Sequence, residues 1–383
     1  MSKNLEELRG QIDEIDQQMV ELFKARMEAA SQVAEYKKEK GLPVLDAGRE
    51  RALLGKIADQ AGEELADYAQ SMYRTILSAS RSYQNGKIGL GSKVYNGIRE
   101  AISATPNLFP QRPTVACQGV EGAYSQIACD RLFKSPTIMY FQTFDHVFKA
   151  VESGMCQYGI LPIENSTAGS VKAVYDLMLS HNFSIVRSAR LKICHNLLTK
   201  HGTRLEDIKE VFSHEQAINQ CADYLAGLKG VKVTVVENTA MASKMVAESE
   251  RTDVAALSSR FCAELYGLKI LQENVQDQDN NYTRFICISK RPEIYPGADR
   301  TSLMMILPHK PGSLYNVLAK FYALNINLQK LESRPLPGRE FEFMFYFDIE
   351  ASVYAPEVER LFRDLEAESE QLRYLGTYNE VIC

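Results

Sequence analysis

The sequence has no tryptophan, only six histidines, and no stretch near the roughly 18 consecutive apolar residues that a membrane-spanning helix requires. Its histidines show no H-E-x-x-H spacing, which removes the simplest zinc hydrolase pattern. The eight cysteines, at 117, 129, 156, 194, 221, 262, 287 and 383, contain no C-x-x-C pair. They read as scattered reduced thiols, so neither a disulfide framework nor a metal site is expected. No G-x-G-x-x-G fingerprint follows a strand; Gly89-Leu90-Gly91 lacks both the preceding strand and a third glycine, which argues against a dinucleotide-dependent dehydrogenase. Positive charge is not in excess: 44 Lys and Arg face 49 Asp and Glu, net −5, which argues against a broad nucleic-acid surface. The start, MSKNLEELRG, lacks the apolar core of a signal peptide. A cytoplasmic protein without cofactor, metal, nucleic-acid or membrane partner is expected.

What is present is enough apolar chain for two or three domains: 383 residues, 45% apolar and 24% charged. Positions 5, 8, 12, 15, 19, 22, 26, 29, 33 and 36 read Leu, Leu, Ile, Ile, Met, Leu, Arg, Ala, Val, Tyr. That 3-4 stripe predicts one helix over about residues 4–39, roughly 50 Å long. The next helices, about 47–60 and 64–85, are too short to cover it, so a dimer sharing helices is expected. Arg26 interrupts the stripe, and a buried unpaired guanidinium is costly. It either snorkels to a nearby Glu or faces a pocket for an anion. Lys37, eleven residues on, shares its face and favours the pocket, whereas Arg9 lies on another face. Asp46 is placed to cap the second helix, with Arg49 and Glu50 one turn in, and Ser80 and Gln84 share a face of the third.

Arg9, Arg26, Lys37, Asp46, Arg49, Glu50, Ser80 and Gln84 together resemble the active site of the all-helical chorismate mutase family over residues 1–88. The resemblance implies a three-helix, domain-swapped dimer that converts chorismate to prephenate, with Arg9 reaching the partner's site. By the same resemblance Arg9 and Arg26 hold the substrate carboxylates, Lys37 and Gln84 donate to the ether oxygen, and Glu50 takes the hydroxyl. Asp46, Arg49 and Ser80 complete the pocket.

Residues 89–112, rich in Gly, Asn and Pro, read as a linker. Over 113–290, strand and helix patterns alternate, which predicts parallel sheet with helices on both faces. Polar residues gather where strands end, at Glu164-Asn165-Ser166-Thr167, at Ser213-His214-Glu215-Gln216 with Gln220, and at Glu237-Asn238-Thr239. Each alone reads as a helix cap or Asx turn. In Gln276–Lys290 a polar run turns into the buried strand 285–289, placing Thr283 and Arg284 at a strand mouth, where α/β sheets present side chains to ligands.

GVEGAYS, PIENSTAGS, SHEQAINQC, ENTA and NYTRF, in this order, resemble the prephenate dehydratase family. The resemblance implies two α/β lobes with a cleft, like a periplasmic binding protein, the second lobe over about 191–268. It gives Thr283 the hydroxyl that assists departure of the ring hydroxyl, and Asn165, Ser213, Gln220 and Glu237 as cleft residues with Ser166 and Thr167 beside them. Glu164 reads as a structural cap. Arg284 either holds a substrate carboxylate or pairs within the fold. His195, in Cys194-His195-Asn196, and His214 read as structural histidines.

A Pro/Gly linker, 291–300, precedes a βαββαβ pattern over 301–383, with Ser313 as the expected cap of its first helix. This ferredoxin-like α+β segment resembles an ACT regulatory domain through Glu332-Ser333-Arg334-Pro335 and Gly312-Ser313-Leu314. The resemblance implies phenylalanine as an allosteric effector bound by these residues at a subunit interface, in a homodimer or higher homo-oligomer. Three readings follow. The first is a bifunctional enzyme taking chorismate through prephenate to phenylpyruvate. The second is the same scaffold with arogenate as second substrate. The third is a non-catalytic aromatic-metabolite sensor.

Overall fold

The computed structural model describes residues 4–89, 91–340 and 342–383; Leu90 of the glycine turn set aside above lies outside the described residues. The chain divides into two compact units, Met1–Asn96 with Pro356–Glu368, and Gly97–Ala355 with Ser369–Cys383. Among the described residues, no helix is long and apolar enough to cross a membrane.

In the first unit α1 (Leu5–Lys40), α2 (Ala47–Ala61) and α3 (Ala66–Ile88) pack together. Asn4 and Glu7 form a reciprocal capping box at the start of α1, and Gly41 ends it in the left-handed conformation (φ 63°) that a residue with Cβ rarely adopts. The expected stripe is there, and most of its first half is exposed. Leu5, Ile12, Ile15 and Leu22 are all more than half exposed, and Ala34 is the helix's one buried residue among those described.

The segment expected to be a linker carries a helix, α4 (Lys93–Ala104), with Ile98 and Ala101 buried. Next come β1 (Thr114–Gln118), α5 (Tyr124–Leu132), β2 (Thr137–Phe141), α6 (Phe144–Glu152), β3 (Tyr158–Asn165), β4 (Gly169–Ser170), α7 (Lys172–Ser180) and β5 (Ser184–Lys192). The chain then builds a second sheet from β6 (Asn196–Thr199), β7 (Glu210–Ser213), α8 (Glu215–Asn219), α9 (Ala222–Gly227), β8 (Lys232–Val235), α10 (Thr239–Glu248), β9 (Val254–Ser258), α11 (Arg260–Tyr266) and β10 (Lys269–Gln272). It returns to the first sheet through β11 (Tyr282–Ser289).

The first lobe has the path β2-β1-β3-β11-β5 and the second β8-β7-β9-β6-β10. In each, three parallel strands meet a fourth that runs antiparallel. A sheet path of this kind leaves loops from the ends of the parallel strands facing one region, which is where ligands of open α/β sheets sit. Gly159 of β3 explains how closely α6 packs: an added Cβ would stand 2.8 Å from a methyl of Val147.

The C-terminal segment contributes β12 (Arg300–Ile306), α12 (Ser313–Ala323), β13 (Leu328–Pro335), β14 (Phe343–Ile349), α13 (Pro356–Glu368), β15 (Gln371–Tyr378) and β16 (Glu380–Ile382). Its antiparallel order β13-β14-β12-β15 is ferredoxin-like. Gly312, at φ 84°, is the residue preceding α12, so Ser313 is the first helical position and not the cap. The last strand leaves this sheet: β16 pairs parallel with β5 of the first lobe. Gly376, at φ 153°, lets β15 touch β5, because a Cβ there would overlap the carbonyl oxygen of Ile185. Backbone cannot yield as a side chain can, so Gly376→Ala should lower the stability of the second unit by about 3 kcal/mol or more. A urea melt followed by the unit's tyrosine fluorescence measures this.

Candidate active site

In the first unit a cavity of about 330 Å³ opens between α1, the start of α2 and α3. Arg26, Lys37, Asp46, Arg49, Glu50, Ser80 and Gln84 all line it, together with apolar groups such as Ala30 and Val33. The eleven-residue spacing puts Arg26 and Lys37 on one side, and the cap of α2 brings its first turn to the mouth, where Asp46 Oδ1 accepts from the Arg49 amide at 3.0 Å. Lys37 Nζ donates to the Val44 carbonyl at 2.5 Å, which holds its head over the α1–α2 turn. Gln84 donates through Nε2 to Ser80 Oγ at 3.3 Å.

Arg81 is a lining residue that the sequence reading did not single out. Its Nη1 lies 2.6 and 2.8 Å from the two Glu50 oxygens, so that carboxylate is held by a cation in the wall. The i, i+1 step from Ser80 was the available signal, but an arginine there reads as surface. The lining includes four cations (Arg26, Lys37, Arg49, Arg81) and two carboxylates (Asp46, Glu50), a surplus of two positive charges. Arg26 Nη1 and Gln84 Oε1 are buried without hydrogen-bond partners among the described residues. Such groups are costly unless something else satisfies them, and a dianion does so for the guanidinium. Arg9 is not in this cavity. It is exposed on α1, 17 residues before Arg26 and so roughly 25 Å away along the axis.

The second site sits where β3 and β11 meet. Asn165 and Thr283 are register partners across these antiparallel strands. Asn165 Nδ2 donates to Thr283 Oγ1 at 2.9 Å and to Asn281 Oδ1 at 2.7 Å. Asn165 Oδ1 accepts from the Thr167 and Ala168 amides, at 3.1 and 2.8 Å, and from the Thr167 hydroxyl at 2.7 Å. With its oxygen turned to those donors, the amide has only its NH₂ to offer Thr283. Thr283 therefore acts as acceptor toward Asn165, and its own O–H proton remains for another partner. Ser166 closes the turn, donating to the Asn280 carbonyl at 2.7 Å and accepting from the Tyr282 amide at 2.9 Å.

Gln220, just past α8, ties the second lobe to this centre. Its Nε2 donates to Thr167 Oγ1 at 2.9 Å, and its Oε1 accepts from Asn281 Nδ2 at 2.9 Å. The same oxygen lies 2.9 Å from His195 Nε2, so His195 carries its proton there. Burial pushes the His195 pKa down, only partly offset by Gln220, which keeps the ring neutral near pH 7. It is a core histidine that orients Gln220.

Other expected residues stand elsewhere. Ser213 is fully buried and donates to the Leu257 carbonyl at 2.8 Å, which leaves no hydroxyl proton for a ligand. Glu237 is exposed after β8, at the same end of the second sheet as Ser213. Glu164 is no cap: it lies within β3 and accepts from Lys330 Nζ at 2.7 Å. Arg284 does not face the cleft. It is buried with Nη1 2.5 Å from Asp348 Oδ2, because side chains alternate along a strand and Thr283 occupies the other face. Burial disfavours its charge, but Asp348 and the neighbouring Tyr378, Tyr346 and Glu164 outweigh that and raise its pKa.

Of the C-terminal set, Glu332 accepts from Ser170 at 2.6 Å, and Arg334 makes a forked pair with Asp176 at 2.7 and 2.8 Å. Ser333 and Pro335 alternate onto the exposed face, Ser313 donates to the Pro308 carbonyl at 2.7 Å, and Leu314 is half-buried beside Gly312. A larger cavity, about 480 Å³, lies between α7 and this sheet. Its walls include Leu179, Met304, Ile306 and Met344, and Arg373 there is committed to the Met178 and His181 carbonyls. Its lining also includes Asp176, Ser180 and Gln371.

The chain thus combines a cation-surplus helical cavity with a hydroxyl–amide centre to which both α/β lobes contribute. The Chorismate mutase type II family model matches residues 8–85, and the Prephenate dehydratase family model matches residues 115–293. The chain is 30% identical to the bifunctional chorismate mutase/prephenate dehydratase of Aquifex aeolicus (strain VF5), over 99% of each chain. It is 40% identical to the arogenate dehydratase/prephenate dehydratase 2, chloroplastic, of Arabidopsis thaliana, over 70% of this chain and 73% of that one. A solved prephenate dehydratase in complex with L-Phe, from Arthrobacter aurescens, is 28% identical with a TM-score of 0.64, covering 70% of this chain and 89% of that one. The chain belongs to the bifunctional chorismate mutase/prephenate dehydratase family. It is an enzyme of phenylalanine biosynthesis, an isomerase and a lyase on one polypeptide.

Proposed function

We propose that the first unit rearranges chorismate in the cavity around Arg26 and Lys37, and that the Thr283 centre converts the resulting prephenate to phenylpyruvate. The rearrangement is pericyclic and needs no nucleophile. It needs a dianion held compactly and positive charge at the breaking ether bond. Arg26 binds a carboxylate, Lys37 and Gln84 donate to the ether oxygen, Glu50 takes the hydroxyl from its place beside Arg81, and Asp46, Arg49 and Ser80 shape the pocket. Arg9 completes the other subunit's site in a dimer that covers the exposed first half of α1.

In the second reaction carbon dioxide and the ring hydroxyl leave together, and aromatisation drives the step. A hydrogen-bond donor placed at the departing hydroxyl is the group needed. The observation that carries this reading is the Asn165–Thr283 bond, which turns the threonine's own proton outward. A free threonine hydroxyl is a very weak acid, so Thr283 relays or orients a proton. Thr167 and Gln220 hold the amide that sets it, with Ser166 fixing the turn and Ser213 and Glu237 shaping the second lobe's end of the cleft.

Residues 301–383 serve as an ACT regulatory domain that binds phenylalanine and lowers activity, following a mutase domain over 1–88 and a dehydratase domain over 113–290. The similar prephenate dehydratase solved with L-Phe supports this. The protein works in the cytoplasm. Purified full-length protein given chorismate should yield phenylpyruvate, and added phenylalanine should slow it. Accumulation of prephenate alone would refute the second activity. An isothermal titration without phenylalanine binding would remove the regulatory claim. The relative named for arogenate favours one further arm, in which arogenate replaces prephenate.

A further inference from the structure

The side-chain hydrogen bonds beside Thr283 form a closed circle that runs one way. Asn165 Nδ2 donates to Asn281 Oδ1 at 2.7 Å, and Asn281 Nδ2 donates to Gln220 Oε1 at 2.9 Å. Gln220 Nε2 donates to Thr167 Oγ1 at 2.9 Å, and the Thr167 hydroxyl donates to Asn165 Oδ1 at 2.7 Å. Each of the four side chains accepts from one neighbour and donates to the next, and hydrogen bonds in such chains polarise one another. Asn165, Thr167 and Asn281 stand at the ends of β3 and β11 in the first lobe, whereas Gln220 follows α8 in the second.

A circle of amides and a hydroxyl can run in either direction, and the direction decides what the centre offers. As it stands, Thr283 Oγ1 accepts from Asn165 at 2.9 Å and keeps its own proton. Gln220 Nε2 keeps a second proton that no described residue takes. Reversed, Thr283 would spend its proton on the Asn165 oxygen, and Gln220 would present a carbonyl in place of that N–H. A departing hydroxyl on an anionic substrate needs donors already in place, and both would be gone.

Two anchors set the direction. In the first lobe the Thr167 and Ala168 amides donate to Asn165 Oδ1. In the second, His195 Nε2 lies 2.9 Å from Gln220 Oε1, an atom that only accepts, so the ring proton is on Nε2. His195 Nδ1 is buried with no partner among the described residues, so nothing holds a proton there. Asn281 is the link through which the two anchors agree, since it meets Asn165 with its oxygen and Gln220 with its nitrogen.

We infer that Asn281 and His195 are positioning residues for the reaction assigned to Thr283, holding the Gln220 amide, and with it the circle, in the direction that leaves both donors free. This rests on the role given above to Thr283. Both residues are only 2% exposed, so neither touches substrate.

The test uses the full-length protein and prephenate, with chorismate turnover as an internal reference and near-UV circular dichroism giving the folded fraction. His195→Met and Asn281→Leu fill similar space but cannot donate to Gln220 Oε1, and kcat should fall about tenfold or more in each, as small misplacements of reacting groups do. His195→Gln returns an N–H to the place of Nε2 and should stay within about threefold of the parent. Both residues address one oxygen, so the double variant His195→Met, Asn281→Leu should lose less than the product of the single losses. Nitrogen NMR of protein with isotope-labelled histidine, its signal assigned by the loss in His195→Gln, should show a neutral ring protonated at Nε2 near neutral pH. The inference is overturned if both single variants, folded, keep kcat within about twofold of the parent while Thr283→Ala is inactive. It is equally overturned if the losses follow the folded fraction or multiply in the double variant, if His195→Gln is as slow as His195→Met, or if the proton sits on Nδ1. Turnover retained in Thr283→Ala would instead overturn the role of Thr283 itself.

Discussion

Thr283→Ala should abolish prephenate turnover, with a loss of about 10²- to 10⁴-fold, the range expected for removing a positioned proton donor. Chorismate turnover should not change, because the cavity proposed for it is lined by residues of the first unit and Thr283 belongs to the second. The substitution removes a hydroxyl that is half-buried at the strand mouth and receives a bond from Asn165 at 2.9 Å. Packing should survive, since Thr283 sits at the strand's partly exposed end while its buried run begins at Arg284. Thr283→Ser keeps the O–H on a side chain freer to rotate, and should retain much more activity than alanine. The measurement is phenylpyruvate formation from prephenate alongside prephenate formation from chorismate, in one preparation. Retention of most dehydratase turnover in the alanine variant would sink the role given to Thr283.

The second large effect is on the mutase. Gln84 offers an amide donor at every pH, and its Oε1 is buried without a partner. Glutamate at this position donates only when protonated. As a carboxylate it would place negative charge against an ether oxygen that gains electron density as its bond breaks. Burial at position 84 raises the pKa of that carboxyl while the cations Arg26 and Lys37 lower it, so its titration falls in the acid range. The active form is the protonated one, present below that pKa and lost as pH rises through it. Gln84→Glu should therefore run about 100-fold or more below the parent near pH 8, and approach it at acid pH. A kcat/KM profile for chorismate from about pH 4.5 to 8.5 reads this directly; a profile parallel to the parent's would remove Gln84 from the ether oxygen.

Much of this site was legible because cations interrupting an apolar stripe are hard to explain otherwise. Arg26 and Lys37 could be placed on one face from spacing alone. Arg81 could not, because its role depends on where α2 delivers Glu50, a tertiary fact. The cluster proposed as the dehydratase centre was legible in its residues, since Asn165, Thr167, Gln220 and Thr283 do come together. Ser213 and Arg284 show the limit. A polar residue at a strand end looks the same in sequence whether its hydroxyl faces a cleft or a neighbouring carbonyl. For Arg284 the alternation was available: if Thr283 faces the cleft, the next side chain cannot. The strand β5 escaped notice because Arg187, Arg190 and Lys192 break its apolar alternation, and the stacking of Arg187 on Phe109, at 3.8 Å to the ring centre, is invisible in sequence. The helix α4 was missed because Gly, Asn and Pro around it read as linker.

The pairing of β16 with β5 also bears on how the protein is made. The first lobe's sheet draws strands from Thr114 through to Ile382, with the whole second lobe threaded between β5 and β11. Among the described residues its outer strand β5 is covered by residues 380–382. On a ribosome these residues emerge after all the other strands of that sheet. Helices α1–α3 are joined by local contacts and can assemble early, whereas the first lobe's sheet must wait for β11 and β16. The nascent enzyme would acquire its three-helix segment first, and loss of residues 380–382 would expose the edge of β5 to unwanted strand pairing.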